Sequence, residues 1–348
     1  MPSPETGPSK PTLATVAEKA GVSRATASRV FSQPHRLSAD TVRRVRAVAA
    51  ELGYQQPNPD ADTQPINRSH NLALVVADTS NPFFPPMIQA AERQADLAGY
   101  SVFLCNADED PRQEDQLLTR FTQKVDGFVI ASSRMTEVVI QAHAKRHPVV
   151  LINRDLTGLP RVLIDTTSGV AEAVNHLAEL GHREITYLSG PTRSWSNGQR
   201  RDTVKRTGEL RGMSVAITAG RRSSYEAGKQ AVEALLASGS TAVIAFDDML
   251  AQGLLAGLAE RGVSVPDEFS VIGCDDVPSP LTHPQLTTVS ARSAEAGTTA
   301  VDLLTNQLAG RLPKGDHRHL LTTTLIPGAT TAEPAVNRRR RVRPQAHR

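Results

Sequence analysis

The first fifty residues carry apolar positions at helical spacing in three separate stretches. The first stretch lies at 12–20, the second at 23–32, and the third starts after Ser38. Gly21 suits the left-handed conformation that ends a helix, and Ser23 can cap the helix that follows. Two helices joined by a three-residue glycine turn form the layout of a helix-turn-helix.

From residue 71 onward, apolar strand-like runs alternate with helical stretches. Examples of these runs are Leu72–Ala77, Val149–Ile152 and Ala242–Phe246. This alternation predicts a parallel sheet with helices on both faces. The pattern is too long for one sheet, so we expect two similar lobes. Because ligands bind beyond the carboxyl ends of parallel strands, the binding cleft should lie between the lobes.

The charge of the 348-residue chain is uneven. Its net charge is +3, but residues 1–56 carry +4, residues 338–348 carry +6 and the remainder carries −7. Basic ends on an acidic body favour a polyanion as partner of the ends.

We expect no membrane segment and no secretory signal, and we interpret Cys105 and Cys274 as buried thiols in a reducing, cytoplasmic compartment.

The second predicted helix presents residue types that read DNA. An arginine can bind guanine through two hydrogen bonds, and an alanine or a threonine methyl group can contact thymine. The candidates for the major groove are Arg24, Ala25, Thr26, Ser28 and Arg29. The alternative is a small helical cap with a solvated, charged face.

Residues 12–54 closely resemble the headpiece of the LacI/GalR family of bacterial transcription regulators. The segment reads TLATVAEKAGVSRATASRVFSQPHRLSADTVRRVRAVAAELGY. The resemblance implies base contacts for Arg24, Ala25 and Arg29, and phosphate contacts for Ser23, Thr26 and Ser28. It also implies a homodimer that binds a near-palindromic operator in double-stranded DNA.

The linker departs from the family pattern. The resemblance places a hinge helix here, opened by Asn58, which becomes a further DNA contact. Asp60, Asp62 and Gln64 stand near the positions where many members carry a basic residue and a leucine wedge. Carboxylates repel phosphates and glutamine is a poor apolar wedge, so our hypothesis is reduced hinge insertion and less DNA bending. The alternative is a hinge that still docks through Asn58 and backbone donors.

The body resembles the type I periplasmic-binding-protein fold of the same family's effector domain. Matching stretches include HLAELGHREITYLSGP at 176–191 and FSVIGCDD at 269–276. The predicted fold class is therefore an all-α helix-turn-helix headpiece followed by an α/β, two-lobed domain. The predicted organisation is a disordered tail at 1–10, the headpiece at 11–56, a hinge at 57–70, an effector-binding and dimerisation domain at 71–335 (first lobe 71–163 and 292–321, second lobe 165–290), and a basic tail at 336–348.

Several residues follow the predicted strands or match the family's effector contacts. Arg200 and Asp275 match such contacts, and Trp195 offers a flat face that suits a sugar or a nucleobase. Phe246 stands where many sugar-responsive members have asparagine, which favours a ligand with a flat or apolar face. The candidate effector contacts are Asn81, Phe83, Asn153, Trp195, Asn197, Arg200, Phe246 and Asp275. For several of them, turn formation or core packing remains the alternative.

These patterns favour a repressor whose operator affinity is set by a small molecule bound between the lobes. A sugar or sugar derivative is the preferred effector, and a nucleobase, a nucleoside or no effector are the alternatives. A solute-binding receptor is a rival reading. We expect no enzyme, no cofactor and no metal, because the sequence shows no Gly-rich phosphate loop, zinc-type spacing or serine elbow.

Overall fold

The computed structural model describes residues 12–32, 37–52, 54, 68–276 and 283–335. The chain divides into two compact units, residues 1–67 and 68–348. Several predictions lie outside the described residues: the tails at 1–10 and 336–348, and the hinge features Asn58, Asp60, Asp62 and Gln64.

The described part of the first unit consists of three helices, α1 (Leu13–Lys19), α2 (Arg24–Ser32) and α3 (Ala39–Glu51). The side chains of Thr12 and Ser38 cap α1 and α3, each accepting a hydrogen bond from a first-turn amide at 3.3 Å. Apolar side chains at helical spacing meet in a small core, whose fully buried members are Val16, Ala27, Val30 and Val45.

The described part of the second unit contains twelve strands and eight helices. The strands are β1 (Asn71–Val76), β2 (Ser101–Asn106), β3 (Gly127–Ala131), β4 (Val149–Ile152), β5 (Arg161–Asp165), β6 (Glu184–Leu188), β7 (Ser214–Ile217), β8 (Ala242–Ala245), β9 (Ser270–Ile272), β10 (Thr288–Val289), β11 (Arg318–Thr322) and β12 (Leu325–Ile326). The helices are α4 (Phe84–Leu97), α5 (Pro111–Phe121), α6 (Glu137–Ala144), α7 (Thr166–Glu179), α8 (Trp195–Leu210), α9 (Tyr225–Ala237), α10 (Asp248–Glu260) and α11 (Ser293–Leu308).

The strands build two parallel sheets, one for each lobe. The first lobe has six strands in the order β11-β5-β4-β3-β1-β2, and the second has four in the order β7-β6-β8-β9. A short antiparallel pair, β10 with β12, lies where the chain passes between the lobes. The chain makes this passage three times: after β5, between β10 and α11, and between β11 and β12.

Helices cover both faces of the first sheet. Alternate residues of β1 enter different cores, since Leu72 and Leu74 pack with α4 and α11 whereas Ala73 and Val75 pack with α5 and α6. This alternation follows from the period of two in a strand. It agrees with the layered α/β arrangement expected from the sequence.

The sequence pattern did not reveal five of the strands, which are β5, β7, β10, β11 and β12. β5 has only three apolar residues between Arg161 and Asp165, and β10 and β12 are two residues long. β7 and β11 lie at sheet edges, where most of their side chains are exposed. The first sheet extends to Asp165 and to Thr322, slightly beyond the expected limits of the first lobe at 163 and 321.

Candidate DNA-binding and ligand-binding sites

α2 presents a polar, exposed face on a well-packed frame. Ala27 and Val30 are fully buried, so the helix can point only its other side outward. The exposed residues on that side are Arg24, Ala25, Ser28 and Arg29. Their spacing places them on one face, because residues three and four apart are neighbours on a helix. A positively charged strip with short side chains between the arginines fits the edges of base pairs in a major groove.

The turn before α2 fixes how the helix starts. Gly21 has φ +64°, which L side chains rarely adopt, and nearby Ser23 is exposed. The Ser23 Oγ accepts a hydrogen bond from the Thr26 amide at 3.1 Å and lies 2.9 Å from the Thr26 Oγ1. Ser23 therefore acts as a helix cap, and both hydroxyls sit at the amino end of α2, where a phosphate is favoured. Asn58 lies outside the described residues.

Arg200, on α8, lies at the centre of a buried polar cluster in the second lobe. Only 3% of Arg200 is exposed. Its Nη2 donates to Asp275 Oδ1 at 2.9 Å, its Nη1 donates to the carbonyl oxygen of Phe246, and its Nε donates to Thr166 Oγ1 at 3.4 Å. Each of the three guanidinium nitrogens therefore donates a hydrogen bond to a protein group in this conformation.

Two buried carboxylates flank this arginine. Burial raises the pKa of Asp275 to about 7, and the attraction of Arg200 opposes the rise only in part. Burial also raises the pKa of Asp247, although hydrogen bonds from Ser223 and the Leu250 amide favour its charged form. The Leu250 bond makes Asp247 the N-cap of α10. The pKa values of both carboxyl groups depend on their burial. A ligand that changes the hydration of this cluster would therefore change the charge of the two groups.

The ring of Phe246 is packed rather than free. Only 8% of Phe246 is exposed, and the Arg200 guanidinium carbon lies 4.9 Å from the ring centre. The ring belongs to the second-lobe core and also lies against Gly190, where a Cβ atom would stand 2.2 Å from a ring carbon. The ring therefore occupies space that a glycine leaves open. In this arrangement it stacks on arginine and does not offer a face to a ligand.

Polar contacts join the two lobes on one side of this cluster. The Asn81 Nδ2, after β1, donates to Asp247 Oδ2 at 2.9 Å. Arg222, from the loop before α9, pairs with Asp78 at 2.9 Å and also with Asp108. These side chains connect loops at the carboxyl ends of β1 and β2 to the second lobe, so they favour a closed arrangement.

An open cleft of about 610 Å³ lies between the lobes on the other side. Residues after β3 and β4 line one wall, and the start of α8 lines the other. The charged and aromatic members of the lining are Arg134, Glu137, Arg154, Arg193, Trp195 and Asp202. The volume falls within the range of small-molecule sites, and Trp195 supplies a flat, half-buried surface.

The structure brings five of the eight candidate effector residues to this region between the lobes. Arg200, Phe246 and Asp275 form one cluster, Asn81 touches its Asp247, and Trp195 lines the open cleft.

The other three candidate effector residues are engaged elsewhere. Phe83 packs in the first-lobe core, edge-on to Phe84. Asn153 uses its Oδ1 to accept from the Ile164 amide at 3.0 Å, and Asn197 uses its Oδ1 to accept from the Tyr187 hydroxyl at 3.0 Å. Both amides therefore hold the fold around the site.

The described residues also bear on metal binding, membrane spans and disulfides. Within the described ranges, no group of three or more His, Cys, Asp and Glu side chains is arranged to hold a metal ion. Among the same residues, none of the helices has the length and apolar character needed to cross a bilayer. Cys105 and Cys274 are free and buried, as the sequence predicted.

Comparison with known proteins decides the family. Residues 12–58 match the model described as bacterial regulatory proteins, lacI family, and residues 174–331 match a periplasmic binding protein-like domain. The transcriptional regulator DegA of Bacillus subtilis (strain 168) is 32% identical over 320 residues, which cover 89% of this chain and 93% of DegA. The chain belongs to the LacI family of bacterial transcriptional regulators.

Solved structures of LacI-family proteins agree in fold. The lac repressor dimer bound to operator and the anti-inducer ONPF superimposes with a TM-score of 0.75 at 26% identity, covering 93% of this chain and all of that one. A LacI family regulator from Enterococcus faecium with bound ribose gives 0.68 at 28% identity, covering 76% of this chain and 99% of its own.

The predicted fold class is therefore confirmed. The chain is a DNA-binding transcriptional regulator with an effector-binding domain, and it is not an enzyme.

Proposed function

We propose that this LacI-family protein is a homodimeric repressor whose operator affinity is set by a sugar or sugar derivative bound between its lobes. The observation that carries the proposal is the pairing of an exposed, arginine-bearing face on α2 with a ligand-sized cleft lined by Trp195. Each unit supplies one half of a regulator: one reads DNA and the other senses a small molecule. In this proposal the protein acts in the cytoplasm, where its operator is.

The preference for a sugar follows from the lining of the cleft. An indole face beside several charged and amide side chains suits a ring that carries hydroxyl groups. The Phe246 ring is buried against Arg200 and is not available to stack on a ligand. Phe246 therefore does not favour a ligand with an aryl group. The E. faecium relative with bound ribose supports the same class.

The proposal of a homodimer is supported by apolar side chains that are exposed near the edge strand β2 of the first lobe. Leu97 is 81% exposed, and Phe103 and Leu104 on edge strand β2 are 40% and 44% exposed. An edge strand with large apolar side chains invites pairing with another chain unless it is covered. A two-fold dimer through this edge of the first lobe would present two α2 helices to a near-palindromic site, as expected for such regulators.

The experiment combines a ligand screen with an operator-binding assay on the full chain. Sugars, sugar phosphates, nucleobases and nucleosides are first ranked by thermal shift, where a ligand at about 100 times its Kd adds about 2.7 kcal/mol of stability. Hits are then added to the complex with labelled operator DNA. We expect a sugar-class hit to change operator affinity by about 5–150-fold. Binding of a nucleobase alone would refute the sugar class, and a hit without effect on operator affinity would refute the coupling.

A further inference from the structure

The open cleft between the lobes has an unequal distribution of charge. Of its three lining arginines, Arg134 is already neutralised, because its Nη2 donates to Glu109 Oε1 at 2.8 Å and its Nη1 donates to the Ser132 carbonyl oxygen at 2.7 Å. Of the other two, Arg154 has a long ion pair with Glu137 and Arg193 has no ion pair among the described residues. They supply the positive charge that remains available in the cleft.

Arg154 is the deeper of these two arginines. Its side chain is 17% exposed, and its nearest carboxylate oxygen, Glu137 Oε1, is 3.9 Å from its Nη2, which is too long for a hydrogen bond. Its Nε is buried and has no hydrogen-bond partner among the described residues. A buried, unpaired donor on a charged group is costly. A ligand oxygen in the cleft would remove that cost.

The start of α8 adds a second source of positive potential on the opposite wall. Arg193 is exposed and forms no ion pair within the described part of the chain, and it directly precedes the Ser194 cap of this sixteen-residue helix. Ser194 Oγ accepts a hydrogen bond from the Asn197 amide at 3.2 Å, and both Ser194 and Trp195 line the cleft. Helix amino termini favour anions through their first amides and the helix dipole.

The acidic residues of the lining lie at its rim. The side chains of Glu137 and Asp202 are 60% and 69% exposed, and Asp202 is paired with Arg201 at 3.1 Å. Solvent screens exposed charges far more than buried ones. Arg154 is therefore the least screened of these charges, whereas Arg193 lies at the exposed rim together with the two acids.

From these contacts we infer that the effector carries an anionic group, a phosphate or a carboxylate, held by Arg154, Arg193 and the amino end of α8 while its ring lies against Trp195. This inference rests on the proposed function and narrows its ligand class to an acidic sugar. Arginine binds both oxyanions through paired hydrogen bonds, so the shared chemistry is a planar or tetrahedral group of oxygens.

Trp195 makes the inference directly testable, because it is the single tryptophan of the chain. Its fluorescence and the thermal unfolding of the full chain are followed during titration with inorganic phosphate, glucose 6-phosphate, glucuronate and glucose, with chloride keeping the ionic strength constant. We expect saturable responses to the anionic probes and a much weaker response to glucose. Comparing the affinity for glucose 6-phosphate with that for glucuronate shows whether the site prefers a phosphate or a carboxylate.

Charge-removing variants locate the anion. Arg154→Gln and Arg193→Gln, singly and together, should weaken binding of the anionic probes, by about tenfold or more in the double variant. Arg206→Gln, which removes an exposed charge from the same helix outside the cleft lining, should leave the affinities unchanged. Retained operator binding shows that the variants are folded.

Three results would overturn the inference: no response to any anionic probe up to the millimolar range, equal affinity for glucose and its 6-phosphate, or unchanged anion affinity in the double variant. A glucose-only response would leave the proposed function intact, since a neutral sugar would still be the effector. A chain that binds no specific DNA would refute the proposed function whichever probe it binds.

Discussion

Arg29 is the most informative single residue of the headpiece. It is exposed on the same face of α2 as Arg24, and its neighbour Val30 is fully buried, which fixes the side from which it projects. We predict that Arg29→Ala costs about 1–3 kcal/mol at the operator and relaxes base preference at one position of each half-site. Fluorescence anisotropy with operator and scrambled DNA measures both effects.

Arg46 provides the matched control, because it is an exposed arginine on α3. Arg46→Ala should weaken binding to both DNA sequences by a similar factor, as expected for loss of a general electrostatic contribution. If Arg29→Ala leaves the ratio of operator to scrambled affinity unchanged, α2 does not read bases through Arg29.

Asp275 predicts a dependence of stability on pH. Burial raises its pKa to about 7, well above its value in the unfolded chain, so the folded state holds a proton that the unfolded state has released. Its stabilising contribution is complete below the unfolded pKa and is lost as the pH rises towards about 7. Relative to Asp275→Asn, wild type should lose on the order of 2 kcal/mol of unfolding free energy between about pH 5 and about pH 8.

Urea unfolding of the full chain, followed through Trp195, measures this difference. Asp247, whose pKa burial also raises, is present in both proteins, so the effect of its own burial is common to them. A constant difference across the pH range would show that Asp275 is ionised throughout, held so by Arg200.

At the scale of elements, the loops that follow β1 and β2 are tied to the second lobe by Arg222. Because Arg222 pairs with both Asp78 and Asp108, Arg222→Ala leaves two carboxylates facing each other without a cation. Arg222 and Asp108 are half-exposed although Asp78 is buried, and each lobe keeps its own core, so we expect a shift of the lobe equilibrium and not unfolding. Amide hydrogen exchange in the loop after β1 should become faster.

Arg211→Ala is the control for this prediction. Arg211 has a similar exposure, 46% against 49%, and its carboxylate partner Glu179 lies in the same lobe. It should leave exchange in the loop after β1 unchanged. Equal exchange in wild type and Arg222→Ala would mean that other contacts, such as Asn81 with Asp247, hold the lobes together.

The sequence predicted helices and strands better than it predicted the contacts between side chains. Periodicity identified the helices of the headpiece and most strands of the body, because burial on one or two faces leaves a readable pattern. The edge strands β7 and β11 were not predicted, because their mostly exposed residues show no such pattern. The position of Arg200 at the site was predictable from family resemblance, but its pairing with Asp275 depends on an ion pair across 75 residues.

Contacts between residues that are not neighbours in the sequence also explain why the roles of two asparagines and of Arg222 were not predicted. Asn153 follows a strand and Asn197 lies in the first turn of a helix, and ligand contacts also occur at such places. Only the structure shows that their side-chain oxygens accept hydrogen bonds from the Ile164 amide and the Tyr187 hydroxyl. Arg222 lies in a loop without periodicity, so nothing in the sequence connected it with Asp78. Arg134 was missed for the same reason.

At the scale of the whole molecule, the exposed edge strand β2 of the first lobe leads to a prediction about the assembly. Leu104→Asp places a charge on edge strand β2 at a position that is 44% exposed in one chain. We expect this variant to sediment as a monomer and to bind operator more weakly, because two half-sites would no longer be held together. The fold should survive, since the side chain is not part of the described core.

Leu210→Asp is the matched control, because Leu210 is 80% exposed at the end of α8 in the other lobe. It should remain a dimer. The proposed interface would be wrong if Leu104→Asp stayed dimeric, and the opposite lobe would be implicated if Leu210→Asp dissociated instead.

The central claim is that two copies of this chain read a symmetric DNA site through α2. The most direct measurement is selection of bound fragments from random double-stranded DNA by the full chain, repeated with Arg29→Ala. The account predicts an enriched near-palindrome from wild type, with one position in each half-site losing its base preference in the variant. Enrichment of no common sequence, or of the same palindrome with undiminished preference in the variant, would contradict it.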